Sequence, residues 1–362
     1  MIPVTKPFLP PKESVYELLD GVWDRNWLTN NGPLVNEYEL KLKEYLGLNH
    51  LLFVSNGTIA LQLAIKALGL NGEIITTPFS YVATTSSIVW EGCTPVYVDI
   101  DPETLNIDPS KIEDAITPKT SAILATHCFG NACAIEEIDS IAKRYQLKVI
   151  YDAAHCFGTM YKDKSILSYG DVSTLSLHAT KLVHSVEGGL VVTKNPDLLK
   201  RMAYMRNFGH DGPGKFNGVG INGKNSELHA AVGLVVLRFA DRIRNRRRNQ
   251  VEFYNKSLSL LECKFQVIQE SCIPNYSYYP LIFDSEATNN AYINNLAKQN
   301  IFARRYFFPA LNDLEYINKN QSLPVAQHVS KSILCLPLYH NLTKEMQTLI
   351  TRNMLRTQNY SL

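Results

Sequence analysis

Three short stretches carry side chains whose types and order suit chemistry on a carbonyl and an anion. Lys181 closes Ser176-Leu177-His178-Ala179-Thr180-Lys181, just after an apolar run and shortly before Glu187-Gly188-Gly189. Lysine prefers full hydration. Held in a loop at the end of a sheet it would lose water, its pKa would fall, and the neutral amine would become a nucleophile for carbonyls; a surface lysine would read the same. Asp152 ends the apolar run Val149-Ile150-Tyr151 and is followed by small Ala153 and Ala154, then His155. Ligands of parallel sheets gather at the carboxyl ends of strands, so a carboxylate there can hold a cationic ring nitrogen. An Asp that caps the next helix would look the same, and His155 alone reads equally well as a structural histidine. Ser55-Asn56-Gly57-Thr58 separates the strand-like LLFVS from the helical TIALQLAIKAL. Strand, glycine turn and helix start bring free N–H groups and the positive end of the helix dipole to one spot, which makes an anion site. A plain N-cap uses the same residues. Ser176 could reach the same anion as Thr58.

Other patterns fall short of chemistry. Gly218-Val219-Gly220-Ile221-Asn222-Gly223-Lys224-Asn225-Ser226 nearly spells a P-loop. Asn225 stands where the Mg²⁺ hydroxyl belongs, and no strong apolar strand precedes it. His127, Cys128, Cys133, His155 and Cys156 lack metal-ligand spacing, so no metal is expected. Arg238, Arg242, Arg244, Arg246, Arg247 and Arg248 make one helix basic, which is read as a solvated or subunit-facing side because a nucleic-acid site wants a basic domain with aromatic partners.

The elements that must position these residues follow from periodicity. Val15, Leu18, Leu19 and Val22 recur at helical spacing, Asn30-Asn31-Gly32-Pro33 is a turn, and Leu34 to Tyr45 is a second amphipathic helix closed by Gly47. From about residue 50, short strands alternate with helices: LLFVS, EIITTP, TPVYVDI, SAILATH, KVIYDA, DVSTLSL and GGLVVT are strands. That alternation predicts an α/β fold with a mostly parallel sheet covered by helices on both faces. One long helix is expected over about 225–255, leading into a smaller C-terminal α/β lobe. The expected division is 1–250 for the N-terminal segment and large domain and 251–362 for the small one. The length, 362 residues, suits about two domains.

Composition excludes several classes. Hydrophobic residues make up 45%, too many for a disordered chain, and Lys+Arg 36 against Asp+Glu 34 gives no global pull toward nucleic acid or membrane. No apolar run reaches the ~18 residues of a membrane span. The start, MIPVTKPFLPPKES, has no apolar core of a secretory signal. Seven scattered cysteines read as reduced, buried thiols. A cytoplasmic protein is expected.

A phosphate cup, a strand-end carboxylate and a loop lysine together are what pyridoxal 5'-phosphate requires. Tyr81, in Thr77-Pro78-Phe79-Ser80-Tyr81-Val82-Ala83-Thr84, is well placed to stack on its ring. The chain resembles the DegT/DnrJ family of sugar aminotransferases, within the fold type I pyridoxal-phosphate enzymes. The resemblance runs through WLTNNGPLV, SNGTIALQLAI, TTPFSYVATTSSI, PVYVDIDPETLNID, YDAAHCFG, SLHATK, EGG and GINGKNSELHAAVG, nearly the whole chain.

The resemblance implies roles. Lys181 would be the Schiff-base lysine and proton shuttle. Asp152 would pair with the ring nitrogen, His155 would stand near the ring hydroxyl, and Tyr81 would stack. Gly57, Thr58 and Ser176 would hold the phosphate. Asn222 would reach the phosphate of the neighbouring subunit, which implies a homodimer with shared sites. Ser185-Val186 before Glu187, and Lys224 after Asn222, depart from the family pattern in loops expected to face substrate. Because Lys181 is present, transamination is implied rather than dehydration. L-Glutamate would leave as 2-oxoglutarate, and the amine would pass to a dTDP-linked 4-keto-6-deoxy sugar for O-antigen and lipopolysaccharide synthesis. Amination at C3, the galacto epimer at C4, and a non-catalytic cofactor-binding regulator stay open as alternatives.

Overall fold

The computed structural model describes residues 1–317 and 321–360. Helices α1 (Lys12–Arg25) and α2 (Pro33–Leu46) follow a short strand, β1 (Ile2–Pro3). Then come β2 (Leu51–Val54), α3 (Gly57–Ala67), β3 (Glu73–Thr76), α4 (Val82–Trp90), β4 (Thr94–Tyr97), β5 (Thr120–Thr126), α5 (Ile135–Tyr145) and β6 (Lys148–Asp152). A small excursion, β7 (Met160–Tyr161) and β8 (Lys164–Ser165), leads back to β9 (Val172–Ser176) and β10 (Gly189–Val192). Helices α6 (Pro196–Arg206) and α7 (Glu227–Leu237) pack back on the large domain, and α8 (Ala240–Ser257) leads into the second lobe.

Seven strands form one sheet in the order β2-β10-β9-β6-β5-β3-β4. It is parallel except for β10, which runs antiparallel to both β2 and β9. Side chains alternate between the two faces. Leu51, Phe53, Ile123 and Ala125 join one core, and Leu52, Val54, Ala122 and Leu124 join the other. Two apolar faces explain why these strands read as near-continuous apolar runs. The parallel register places Thr126 beside Asp152 at the carboxyl ends of β5 and β6.

Local chemistry sets the helix ends. Gly47 closes α2 with φ 63°, a left-handed conformation that costs glycine little. The start of α2 is held from far away: the Glu227 carboxylate accepts from the amides of Leu34 and Val35, both at 2.9 Å. A Cβ on Gly32 would meet Glu227 Cδ at 2.5 Å, so the turn before α2 needs glycine for close approach.

The helix expected over about 225–255 is two helices. The chain turns at Arg238 and Phe239, where the Phe239 amide bonds Val236 O at 3.0 Å. Apolar α7 packs on α1 and α2 within the large core, whereas α8 buries Ile243, Arg247, Gln250 and Tyr254 on a single stripe. One straight rod could not serve both surfaces. The expected boundary at 250/251 therefore falls inside α8.

The C-terminal residues form β11 (Lys264–Phe265), β12 (Cys272–Ile273), β13 (Pro280–Ile282), α9 (Glu286–Lys298), β14 (Ile301–Phe302), α10 (Pro324–Ser332), β15 (Ile333–Cys335) and α11 (Lys344–Tyr360). Strands β11, β13 and β15 make a three-stranded antiparallel sheet, while β12 pairs with β7. Tyr254, Leu281, Phe283, Tyr292, Leu334 and Ile350 share its core. Strand β1 pairs with β14, so the first residues of the chain belong with this lobe rather than with the large sheet.

Candidate active site

The carboxyl ends of β5, β6 and β9 and the first turn of α3 border one cleft of about 280 Å³. Gly57, Thr58, Tyr81, Asp152, His155, Ser176 and Lys181 all line it. Asn222 does not. It lies exposed on the loop before α7, where its side-chain oxygen accepts from Lys224 Nζ at 2.6 Å.

At one end of the cleft, Asn56 caps α3, its Oδ1 accepting from the Ile59 amide at 2.9 Å. The amides of Gly57 and Thr58 precede the helix's own hydrogen-bond ladder and remain available to an anion. A Cβ on Gly57 would stand 3.2 Å from Ser176 Cβ, and one on Gly189 would stand 2.4 Å from Asn56 O. Backbone thus packs on backbone here because both residues lack side chains, leaving a cradle edged by the hydroxyls of Thr58 and Ser176.

Deeper in, Asp152 is 5% exposed. Its Oδ2 accepts from Thr84 Oγ1 at 2.7 Å and its Oδ1 from the Ala154 amide at 3.1 Å. Burial pushes its pKa up, opposed by the Thr84 and Ala154 hydrogen bonds and by nearby Lys181. Lys181 sits on the loop that joins the antiparallel pair β9 and β10, its amide bonded to His178 O at 2.8 Å. Burial lowers its pKa to about 8, although Asp152 favours the charged form. An amine so lowered has a sizeable neutral fraction near pH 7–8 and can attack a carbonyl.

His155 is buried, stacked near-parallel to the Phe307 ring at 5.6 Å and edge-on to Tyr278 at 4.9 Å. Its Nδ1 accepts from the Phe129 amide at 3.2 Å, and burial holds its pKa well below the usual value. A neutral imidazole whose Nδ1 accepts carries its proton on Nε2, as assigned from that hydrogen bond. Tyr81 stands at the start of α4 without a capping bond and is 58% exposed, so a ring face is free.

The second lobe completes the cleft with residues that spacing alone did not single out. Tyr278, Arg304, Tyr306 and Phe307 come from the strands around β13 and β14, and the Arg304 guanidinium lies 4.9 Å over the Tyr306 ring. A narrow inner extension reaches Arg247, which is 4% exposed and donates from Nη1 to Ser277 O at 3.0 Å. Among the described residues its Nε has no partner and no carboxylate pairs with it. Of Tyr278, Arg304, Tyr306 and Phe307, the last three lie in the run Arg304-Arg305-Tyr306-Phe307-Phe308-Pro309. Among the described residues no group of three or more His, Cys, Asp or Glu is placed to hold a metal ion.

An open sheet with an anion cradle, a buried carboxylate and a lowered-pKa lysine at its carboxyl end defines the class of fold type I pyridoxal-phosphate transferases. A family model described as the DegT/DnrJ/EryC1/StrS aminotransferase family matches residues 12–355. The chain belongs to this family, whose cofactor is pyridoxal 5'-phosphate, and it acts as an aminotransferase on a sugar with an amino donor. It is 43% identical, over 95% of both chains, to a Shigella dysenteriae protein named dTDP-4-amino-4,6-dideoxy-D-glucose transaminase. It is 40% identical, over 98% of both, to an Escherichia coli protein of the same name. Among solved structures, DesI in the presence of its TDP-sugar product superposes with a TM-score of 0.94 at 32% identity, covering 99% of this chain and 93% of that one. No helix among the described residues is long and apolar enough to cross a membrane.

Proposed function

We propose that this chain transfers the amino group of L-glutamate to C4 of dTDP-4-keto-6-deoxy-D-glucose, giving dTDP-4-amino-4,6-dideoxy-D-glucose for O-antigen and lipopolysaccharide synthesis. The observation that carries this reading is the near-full-length identity to two transaminases named for that product. When bound, pyridoxal phosphate supplies an electrophilic carbonyl carbon and an electron-withdrawing ring.

The protein's own groups divide the remaining work. The Gly57 and Thr58 amides, with the hydroxyls of Thr58 and Ser176, hold the phosphate. Asp152 would accept a charge-assisted hydrogen bond from the protonated ring nitrogen. His155 would donate from Nε2 to the ring hydroxyl, and Tyr81 would cover one ring face. Lys181 would anchor the cofactor, and its amine would move a proton between the reacting carbons as base and then acid. The unpaired cations Arg247 and Arg304 suit the carboxylates of the donor and the diphosphate of the sugar nucleotide. Binding of the remote nucleotide orients the sugar carbonyl. Asn222, outside its own cleft, completes the phosphate cup of a second copy, so the working unit is a homodimer, and we place it in the cytoplasm.

Purified protein supplied with dTDP-4-keto-6-deoxyglucose and L-glutamate should yield 2-oxoglutarate and one amino sugar nucleotide. NMR should place the nitrogen on C4 with the gluco configuration. A C3 amine, or the galacto epimer at C4, would contradict the proposal.

A further inference from the structure

Four side chains that the sequence scatters over three elements form one buried line of hydrogen bonds ending on Asp152. Thr126 Oγ1 donates to Ser80 Oγ at 3.0 Å, Ser80 Oγ and Thr84 Oγ1 are 2.8 Å apart, and Thr84 Oγ1 donates to Asp152 Oδ2 at 2.7 Å. Thr126, Ser80 and Thr84 are 2%, 1% and 0% exposed. Each hydroxyl carries one hydrogen. An ionised carboxylate only accepts, so Thr84 must spend its hydrogen on Asp152. Thr84 oxygen is then free to accept from Ser80, and Ser80 oxygen accepts from Thr126. Every donor therefore points the same way, and no other arrangement satisfies the end.

Geometry fixes the line at both ends. Thr84 lies in the first turn of α4, and Ser80, two residues before the helix, reaches it by the 2.8 Å contact alone. Thr126 and Asp152 are register partners at the ends of neighbouring strands. Hydrogen bonds in series polarise one another, and their effect is larger where water is excluded. We propose that Thr84, backed by Ser80 and Thr126, is a positioning residue that holds Asp152 ionised and aimed at the ring nitrogen of the cofactor. The proposal rests on the reading that Asp152 meets that nitrogen. It goes beyond it by assigning Thr84, with Ser80 and Thr126 behind it on the cleft wall, to the strength of the contact through Asp152.

The test uses holoenzymes of Thr84→Val, Thr84→Ser, Ser80→Ala, Thr126→Val and the double variant Thr84→Val/Ser80→Ala. Two quantities are read: the dissociation constant of the cofactor, and the rate of the half-reaction with L-glutamate followed by cofactor absorbance. Thr84→Val removes one hydrogen bond to a charged group, and should weaken cofactor binding and slow the half-reaction by about tenfold or more, with the donor KM nearly unchanged. Thr84→Ser keeps the hydroxyl and should stay within about threefold of wild type. Ser80→Ala should fall between, and Thr126→Val should be mildest, because each further link acts only through the next. The double variant should be no worse than Thr84→Val alone, since the line is already cut at its last link.

Thr84→Val at wild-type values, or Ser80→Ala adding its full loss on top of Thr84→Val, would overturn the relay. If Thr84→Val fails to fold, Ser80→Ala decides by itself: an unchanged cofactor dissociation constant and rate refute the proposal. Asp152→Asn separates the two levels. An unimpaired Asp152→Asn would sink the reading of the ring-nitrogen contact, whereas an impaired Asp152→Asn beside an unimpaired Thr84→Val would sink only the relay.

Discussion

Gly57 and Ser176 face each other at the carboxyl end of the sheet so closely that a Cβ on residue 57 would stand 3.2 Å from Ser176 Cβ. A side chain at residue 57 would force the first turn of α3 or Ser176 to give by a few tenths of an ångström. The close approach of α3 to β9 brings the helix-start amides and the serine hydroxyl to one point. Gly57→Ala should keep the fold, because residue 57 has ordinary backbone angles, yet push α3 away from Ser176. Overpacking of this kind costs about 1–3 kcal/mol, or roughly five- to 150-fold in the cofactor dissociation constant. Equilibrium binding of pyridoxal phosphate checks it; wild-type affinity in Gly57→Ala would remove the cradle from the site.

The Lys181 amine, lowered to about 8 by burial, sets a pH dependence. Only the neutral amine attacks a carbonyl. The rate at which cofactor-free protein captures pyridoxal phosphate should thus climb about tenfold per pH unit below about 8 and level off above it, not near the ordinary lysine value of about 10.4. Asp152 opposes the shift, because its charge favours protonated Lys181. Asp152→Asn should therefore move the midpoint further down. Stopped-flow absorbance across pH 6–11 measures both, and a midpoint that rises in Asp152→Asn would contradict the electrostatics.

Asp152→Asn also tests the ring-nitrogen contact in turnover. The amide has nearly the same shape but no charge, so the thermal unfolding midpoint should change little. The half-reaction with L-glutamate should slow by about 10²-fold, since a charge-assisted hydrogen bond is replaced by a neutral one at the position that draws electrons. An Asn variant with near wild-type turnover would refute that role.

The proposal that Asn222 completes the phosphate cup of a second copy makes complementation a test. Lys181→Ala should be inactive, and Asn222→Ala impaired by about tenfold, the worth of one hydrogen bond to a charged group. In a mixed dimer one site regains both residues while the other carries both defects. Tagged heterodimers should then recover up to about half of wild-type activity. Verified heterodimers with no recovery, given an impaired Asn222→Ala, would leave Asn222 outside the neighbouring site.

Much of this was legible from the chain because it is local. The strand ends at Asp152 and Ser176, the helix start at Gly57 and the loop at Lys181 each follow from a hydrophobic run and the residues that stop it. Non-local contacts were not legible. Glu227 reaches back to cap α2 at Leu34 and Val35, and no periodicity links the two stretches. Tyr278, Arg304 and Phe307 enter the cleft only because the second lobe folds over the sheet end. The break at Phe239 was hidden because helical spacing continues through it; what ends α7 is the change of packing partner, not a Gly or Pro. The hydroxyls of Ser80, Thr84 and Thr126 looked like ordinary strand and helix residues until the register of β5 and β6 set one of them beside Asp152.

The central claim is that one lysine in this cleft carries the cofactor. Borohydride reduction of the purified holoenzyme, followed by proteolysis and mass spectrometry, should find the pyridoxyl mass on the peptide containing Lys181 and on no other. In Lys181→Ala the cofactor should be removable by dialysis before and after reduction. A pyridoxyl group fixed to a different lysine, or a Lys181→Ala protein that still fixes it covalently, would contradict the claim.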